Sequence, residues 1–434
     1  MQNVRSIVGL TALLAAAAPL SAQLPTGAKA IGMGGAFVAT ARGHESLFLN
    51  PANLGLSGTP YWSIAFPQVG LGSTLLGMRF EDMPDVINYD DVEQTRKDEI
   101  LSAIPESGTE MRFDAKLPLF SVSNRRFALG VAYGMTGEHS LGRGLAELVI
   151  NGYQEGRTDY SVGRTVGSRA TYLDVAAGFG RKLGPVSVGV AGHYYRGLTL
   201  MHSKLFEPRF DLAAQDFQMD YVGVQSRGGQ GYGVDVGMAL EPVKSLTVSA
   251  AVSNAYSKMT WNENLRSRTA TLTKSDLVGD PDALLVFKDR YERSEDDLDP
   301  SAASLEVIAT AQGLYRQAYF PTVLRAGAAW KPSEATDLGV AYETKLSDGR
   351  LGGRWDRTLS AGLQQKVLFL RVRGGYSTNL EDGQVLSTGV SLGPLQLGVA
   401  KITDGTFEGA ERRGYIATFG LSMSSNAIRE LPRP

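Results

Sequence analysis

Cysteine is absent from all 434 residues. That excludes disulfides, thiolate metal sites, a cysteine nucleophile and a lipoprotein anchor at a processed N-terminus. Histidine is scarce, with only four: His44, His139, His193 and His202. A Ser-His-Asp hydrolase would need one of them beside a nucleophile. Neither a G-x-S-x-G elbow nor an H-E-x-x-H pair occurs. An enzyme is not expected, and neither is a cofactor or a metal. An excess of one charge is missing as well. Lys and Arg total 43 against 45 Asp and Glu, a formal net charge of −2. Nothing in the electrostatics therefore points to nucleic acid. Long apolar runs are also missing. Ile7–Leu20 is too short to cross a bilayer comfortably, and no later stretch approaches ~18 apolar residues. Mean hydropathy is only −0.11. A membrane-spanning form of the mature chain would have to be a closed β-barrel.

That short apolar run has the shape of a secretory signal. Arg5 precedes it and Leu20-Ser21-Ala22 offers a cleavage site, so residues 1–22 are expected to be a signal peptide. A membrane anchor is the alternative, disfavoured by the short core and by the lack of a stop-transfer pattern. The chain length fits one large barrel or two to three soluble domains.

Glycine (51 residues) and tyrosine (17) are abundant, and the dominant rhythm from Tyr61 onward has period two. Phe127, Leu129, Val131 and Tyr133 alternate with Ala128, Gly130, Ala132 and Gly134. The same pattern recurs at Leu173–Gly180, Val186–Tyr194, Tyr232–Leu240, Leu246–Ser253, Leu338–Tyr342, Leu368–Tyr376 and Tyr415–Met423. Soluble β-sandwiches also alternate. Two features favour a membrane barrel. The runs reach ~9–12 residues, the reach of a tilted transmembrane strand, where soluble strands cluster near ~5–6. The connections also sort by length. Short gaps fall at Ser123-Asn124, Leu183-Gly184, Glu241–Ser245, Lys331–Thr336, Gln364–Lys366 and Gly393-Pro394. Between them lie longer gaps, the longest at 138–169, 201–229 and 261–320. Short periplasmic turns alternating with long extracellular loops are a property of outer-membrane barrels. The expected fold is an all-β transmembrane antiparallel barrel of about fourteen strands over 59–424, with a tail at 425–434. An amphipathic helical insertion is expected near 82–105. The acidic cluster Glu295-Asp296-Asp297-Asp299 lacks the ligand spacing of an EF-hand and reads as a solvated loop.

With bulky residues turned to lipid, the other face lines the lumen. It collects Arg112, Asp114, Lys116, Asp174, Asp235, Arg325, Asp337, Glu343, Arg371 and Arg373. Facing lipid, each Arg or Lys at mid-membrane would cost ~2–4 kcal/mol. Facing inward they can form structural ion pairs, or one or two arginines can bind an anionic head group. His193 reads as a lone polar residue of the lumen. The inward glycines Gly130, Gly134, Gly178, Gly180 and Gly237 leave room, either for a packed plug or for a narrow hydrophobic path.

One stretch does not alternate. Gly27–Asn53 reads GAKAIGMGGAFVATARGHESLFLNPAN. Gly32, Gly34 and Gly35 permit tight or left-handed backbone, and Asn50-Pro51-Ala52 starts a turn. Residues 23–58 are expected to form a compact hatch in the lumen, with Lys29, Arg42, His44 and Glu45 available to pair with lumen charges. This pattern, G-A-x-A-x-G-M-G-G-A-F-V-A and then N-P-A, resembles the FadL-like superfamily of bacterial outer-membrane barrels. Phe320–Gly327 (FPTVLRAG) resembles a strand start that recurs in that group. The superfamily includes long-chain fatty-acid transporters, hydrocarbon channels and PorV-type secretion shuttles. The resemblance implies a barrel in the outer membrane of a Gram-negative-type bacterium, passing small hydrophobic or amphipathic molecules under control of its hatch. Its partners would be outer-membrane lipid and a hydrophobic ligand. The alternative is a PorV-like or structural role, in which the loops hold a secretion or surface protein.

Overall fold

The computed structural model describes residues 27–75, 93–102, 104, 106, 108–151, 166–205, 209–211, 216–261, 263–264, 266–273, 292–293, 320–347, 356–381, 383–407 and 410–426. The expected signal peptide, most of the 82–93 stretch, the acidic cluster at 295–299 and most of the tail lie outside these residues.

The described strands join into one antiparallel sheet that closes on itself as a fourteen-strand barrel. Its first stave is β1 (Trp62–Ala65) continued by β2 (Val69–Leu75). Four long strands follow: β3 (Thr109–Asn124), β4 (Phe127–Leu141), β5 (Val166–Leu183) and β6 (Val186–Leu205). Beyond the barrel's edge, β7 (Arg209–Asp211) and β8 (Asp216–Ser226) extend the top of β6. The wall resumes with β9 (Gly229–Val243) and β10 (Leu246–Thr260), while β11 (Arg266–Thr273) and β12 (Glu292–Arg293) extend β8. The remaining staves are β13 (Val323–Ser333), β14 (Thr336–Lys345), β15 (Arg357–Val367), β16 (Leu370–Thr378), β17 (Gly383–Leu392), β18 (Leu395–Phe407) and β19 (Ala410–Ser424). Closure comes from β19 pairing with both β1 and β2, and β1 with β3. This is the architecture that the FadL-like resemblance implies.

Alternation sets which side chain goes where. Phe127, Tyr232 and Leu386 stand 62%, 59% and 65% exposed on the outer surface, and comparable apolar side chains surround the barrel. A closed apolar belt of this size is not a water-facing surface. It is the lipid-facing band of an outer-membrane barrel. Among the described residues no helix is long and apolar enough to cross a membrane; the strands do the crossing.

The short turns fall near the expected places with two corrections. Ser123-Asn124 ends β3, and the turn lies at Arg125-Arg126, where Arg125 adopts φ 49°. Gln364–Lys366 is strand, and the turn lies at Leu368-Phe369, where Leu368 adopts φ 55°. The reason is chemical. Leu368 and Phe369 are 83% and 65% exposed, so an apolar pair that reads as strand is an exposed turn. The expected helical insertion appears as a helix over Gln94–Ser102. A second helix, Arg143–Asn151, occupies what the sequence suggested was plain loop. It touches the first through Gln94 Nε2 donating to Asn151 Oδ1 at 3.2 Å.

Candidate functional site

Residues 27–58 contact the inward faces of strands all around the barrel, and most of them are buried. A short helix, Ala28–Gly32, lies against β16, β17 and β18. Gly34 and Gly35 then take φ of 62° and 85°, which reverses the chain at low cost only for glycine. The segment ends in a 3-10 turn, Pro51–Gly55, against β5, β6 and β9. Asn50 explains the N-P-A motif. Its Oδ1 accepts from Ala52 N at 3.0 Å and caps the turn. Its Nδ2 donates to Met238 O and Ala250 O, both at 3.2 Å, on two wall strands. Asn53 Nδ2 donates back to Val38 O at 2.7 Å and so ties the two halves of the segment together.

The inward glycines make space for this backbone. A Cβ on Gly180 would strike Pro51 O, one on Gly189 Pro51–Ala52, and one on Gly237 Asn50 Oδ1. Gly130 and Gly178 lie under Leu47, while Gly134 faces the Tyr172 ring instead. Gly32 comes close to Gly389 and to Arg373 Cβ.

The predicted lumen charges mostly pair with one another. Lys116 Nζ lies 2.7 Å from Asp174 Oδ2, and Asp174 Oδ1 lies 2.9 Å from His193 Nδ1. His193 Nε2 is 3.4 Å from Asp235 Oδ2. His193 is therefore not a lone residue but the bridge between two buried carboxylates. Arg325 Nε meets Glu343 Oε2 at 2.6 Å, and its Nη1 also bonds Ser253. The crevice beside this pair, next to Gly35 and Leu49, holds about 20 Å³. That admits a water but no lipid head group, so the pair is structural. Arg373 Nε donates to Gln364 Oε1 at 2.8 Å and Nη1 to Ser391 Oγ at 2.7 Å, beneath Gly32. Arg371 faces inward on the same strand, half-buried. Arg112 lies on β3 opposite Glu138; its side chain falls outside the described residues.

The segment's own charges depart from expectation. Lys29 and Glu45 pair with each other at 2.7 Å. Arg42 Nη1 donates to Ala39 O and Ala41 O, and Nη2 to Thr247 Oγ1; among the described residues its wall partner of opposite charge is Glu241, at 4.0 Å. The fold-back at Gly34-Gly35 brings Lys29 and Glu45 together, which sequence spacing does not reveal.

Above the segment sit aromatic residues of which the sequence analysis noted only Phe320, as part of a strand start. Phe320 packs against Tyr172 and Tyr195 at ring separations of 4.9 and 4.8 Å, and Tyr195 stacks on His193 at 5.8 Å. Phe48, from the segment, places its ring 5.4 Å below Lys116 Nζ. Trp261 and Met259 are buried nearby, against Gly197. Parity held the signal: Tyr172 shares a face with Asp174, and Tyr195 with His193. A bulge in β10 completes the site. Val252 pairs with Val236 but Tyr256 with Val234, and between them Asn254 takes φ 52°. Asn254 N donates to Asp235 Oδ1 at 2.7 Å, and Tyr195 Oη to Asn254 Oδ1 at 3.1 Å. Bulges re-aim side chains in this way.

His44 gives the segment a pH dependence. Burial pushes its pKa down from 6.5 to about 4, with Glu45 opposing and Lys29 assisting. Its Nδ1 lies 3.0 Å from Ser63 Oγ, and Nε2 is buried without a partner. A docked segment therefore holds His44 neutral, whereas a released one lets it take a proton. The docking strength is whole above pH 6.5 and is lost as pH falls toward 4, by ~3 kcal/mol at ~1.36 kcal/mol per unit. Protease cleavage within residues 27–58 of the folded barrel should rise over that window in the native protein. It should be flat in His44→Gln.

Residues 201–404, just under half the chain, match a family model described as a family of unknown function (DUF5723). No curated protein matches. The solved structures that resemble this one include the toluene transporter TbuX of Ralstonia pickettii, at 12% identity and TM-score 0.49 over 93% of this chain and 99% of that one. The P. putida toluene transporter TodX aligns at 10% identity and TM-score 0.44, over 93% and 99% of the two chains. The translocator domain of the autotransporter NalP from Neisseria meningitidis aligns at 11% and 0.30, over 85% and 90%.

Proposed function

We propose that this barrel is an outer-membrane channel for small hydrophobic compounds, carried to the outer membrane of a Gram-negative-type bacterium by the signal peptide of residues 1–22. Residues 23–58 act as its hatch. The observation that carries this reading is the stacking of two closures in one lumen: the segment seated on inward glycines, and the Phe320–Tyr172–Tyr195 cluster above it, with Phe48 reaching up between them. An open porin needs neither. Aromatic faces suit an apolar ligand. A carboxylate-bearing ligand such as a long-chain fatty acid would have to displace Asp174 from Lys116, so an uncharged compound is the better fit.

Proteoliposome measurements test this. The native protein should pass an apolar fluorescent probe and exclude a sugar of similar size. Deleting Gly27–Asn53 should admit both. Rapid sugar entry through the native barrel would refute a gated hydrophobic channel.

A further inference from the structure

The outer wall is not convex everywhere. Where β9, β10, β13, β14 and β15 meet, their outward side chains enclose an apolar groove of about 550 Å³. This is the size of a small-molecule site, ~300–1,000 Å³. Its floor is three alanines that the registers bring together: Ala250 opposite Ala326, and Ala328 opposite both Val248 and Val340. Its sides are Met238 from β9 and Tyr342 from β14, each one strand over from that floor. The bulkier Met238, Val248, Val340 and Tyr342 surround these alanines, so the hollow lies over them.

The groove has a defined depth in the membrane. One row below it, Leu246 faces Trp330, which is 51% exposed on the lipid side. Tryptophan at that height marks the bilayer interface. Just beyond, on the short turn between β9 and β10, lies Lys244, exposed and with no ion pair among the described residues. Lys331, near the end of β13, turns the other way, its ammonium 3.3 Å from Asp337 Oδ1 on the lumen face. A basic group directly outside an apolar slot matches a molecule with an anionic head and a hydrocarbon tail.

We propose that this groove holds an acyl chain of an anionic phospholipid from the leaflet at the short-turn rim, with its phosphate against Lys244. The site faces lipid and is separate from the lumen, so it does not depend on what the channel carries.

Native mass spectrometry of the full-length barrel tests the idea, with phosphatidylglycerol or phosphatidylcholine added to the detergent. The native protein should retain one phosphatidylglycerol and much less phosphatidylcholine. Ala250→Leu with Ala328→Leu fills the groove with apolar atoms that a lipid-facing surface tolerates, and should abolish retention of either. Lys244→Glu should lower phosphatidylglycerol retention about fivefold, the effect expected from one basic group at an anionic surface. It should leave phosphatidylcholine unchanged. Heat-dependent gel mobility establishes that each variant is folded. Equal retention of the two lipids would overturn the proposal, as would full retention by the filled variant. A dimer of the native protein that disappears on filling would assign the groove to a second copy of the chain instead.

Discussion

Replacing Gly375 with valine is expected to open the lumen without unfolding the barrel. Gly375 points inward from β16, and a Cβ there would overlap Met33 C and Gly34 N. Those are backbone atoms, so no side-chain rotation relieves the clash. Gly375 has no positive φ, and valine suits an extended strand. The strand has little reason to yield, so the segment is the part that moves. Overpacking costs ~1–3 kcal/mol where neighbours can adjust, and here they cannot adjust far. A shift of ~3 kcal/mol moves a docking equilibrium about a hundredfold. Gly189→Val, which strikes Pro51–Ala52 from the opposite wall, should act in the same way. The control lies one residue from the first site. Gly374 has nothing within 4 Å of its would-be Cβ, so Gly374→Val should leave conductance at the native level. Single-channel recording separates the cases. A folded Gly375→Val barrel with native conductance would mean that the segment does not close the pore.

This pair of glycines also shows what one sequence can disclose. Period two placed Gly375 inside and Gly374 outside because side-chain direction in a strand is a local property. The same rule put Asp174, Asp235, Arg325 and Arg373 in the lumen, and all four are buried. What it could not give was partnership. Asp174 and His193 are nineteen residues apart on paired strands, and Lys116 reaches Asp174 across β4 by way of two registers. Those contacts depend on shear, which no short window contains. Irregular backbone was hidden for a related reason. The bulge at Asn254 and the turn at Leu368-Phe369 adopt left-handed φ at residues whose identity does not demand it. The strand context imposes those angles. Gly34, by contrast, was legible because its conformation is one that glycine adopts at little cost.

Removing the Asp174 carboxylate should be the most destabilising single change in the wall. Its side chain is wholly buried and holds Lys116 on one oxygen while both oxygens face the His193 imidazole. Cutting out one member of a buried ionic group leaves the others uncompensated, typically at ~3–5 kcal/mol. Asp174→Ala should therefore lower the thermal unfolding midpoint in detergent by several degrees. Asp174→Asn, which keeps the shape and some hydrogen bonding, should lower it less. The comparison pair begins one residue along the same strand pair, with Arg196 opposite Leu173. Arg196 grips Glu263 with two bonds of 2.6 Å, yet both side chains are about 40% exposed, and exposed pairs contribute ~0–1 kcal/mol. Glu263→Ala should scarcely move the midpoint, although its bonds are the shorter ones. Restoring charge balance supplies the decisive measurement. Lys116→Met in the Asp174→Ala background should recover part of the loss, because the stranded ammonium is then gone. If the two losses simply add, Lys116 and Asp174 are not coupled, and their 2.7 Å approach contributes nothing of its own.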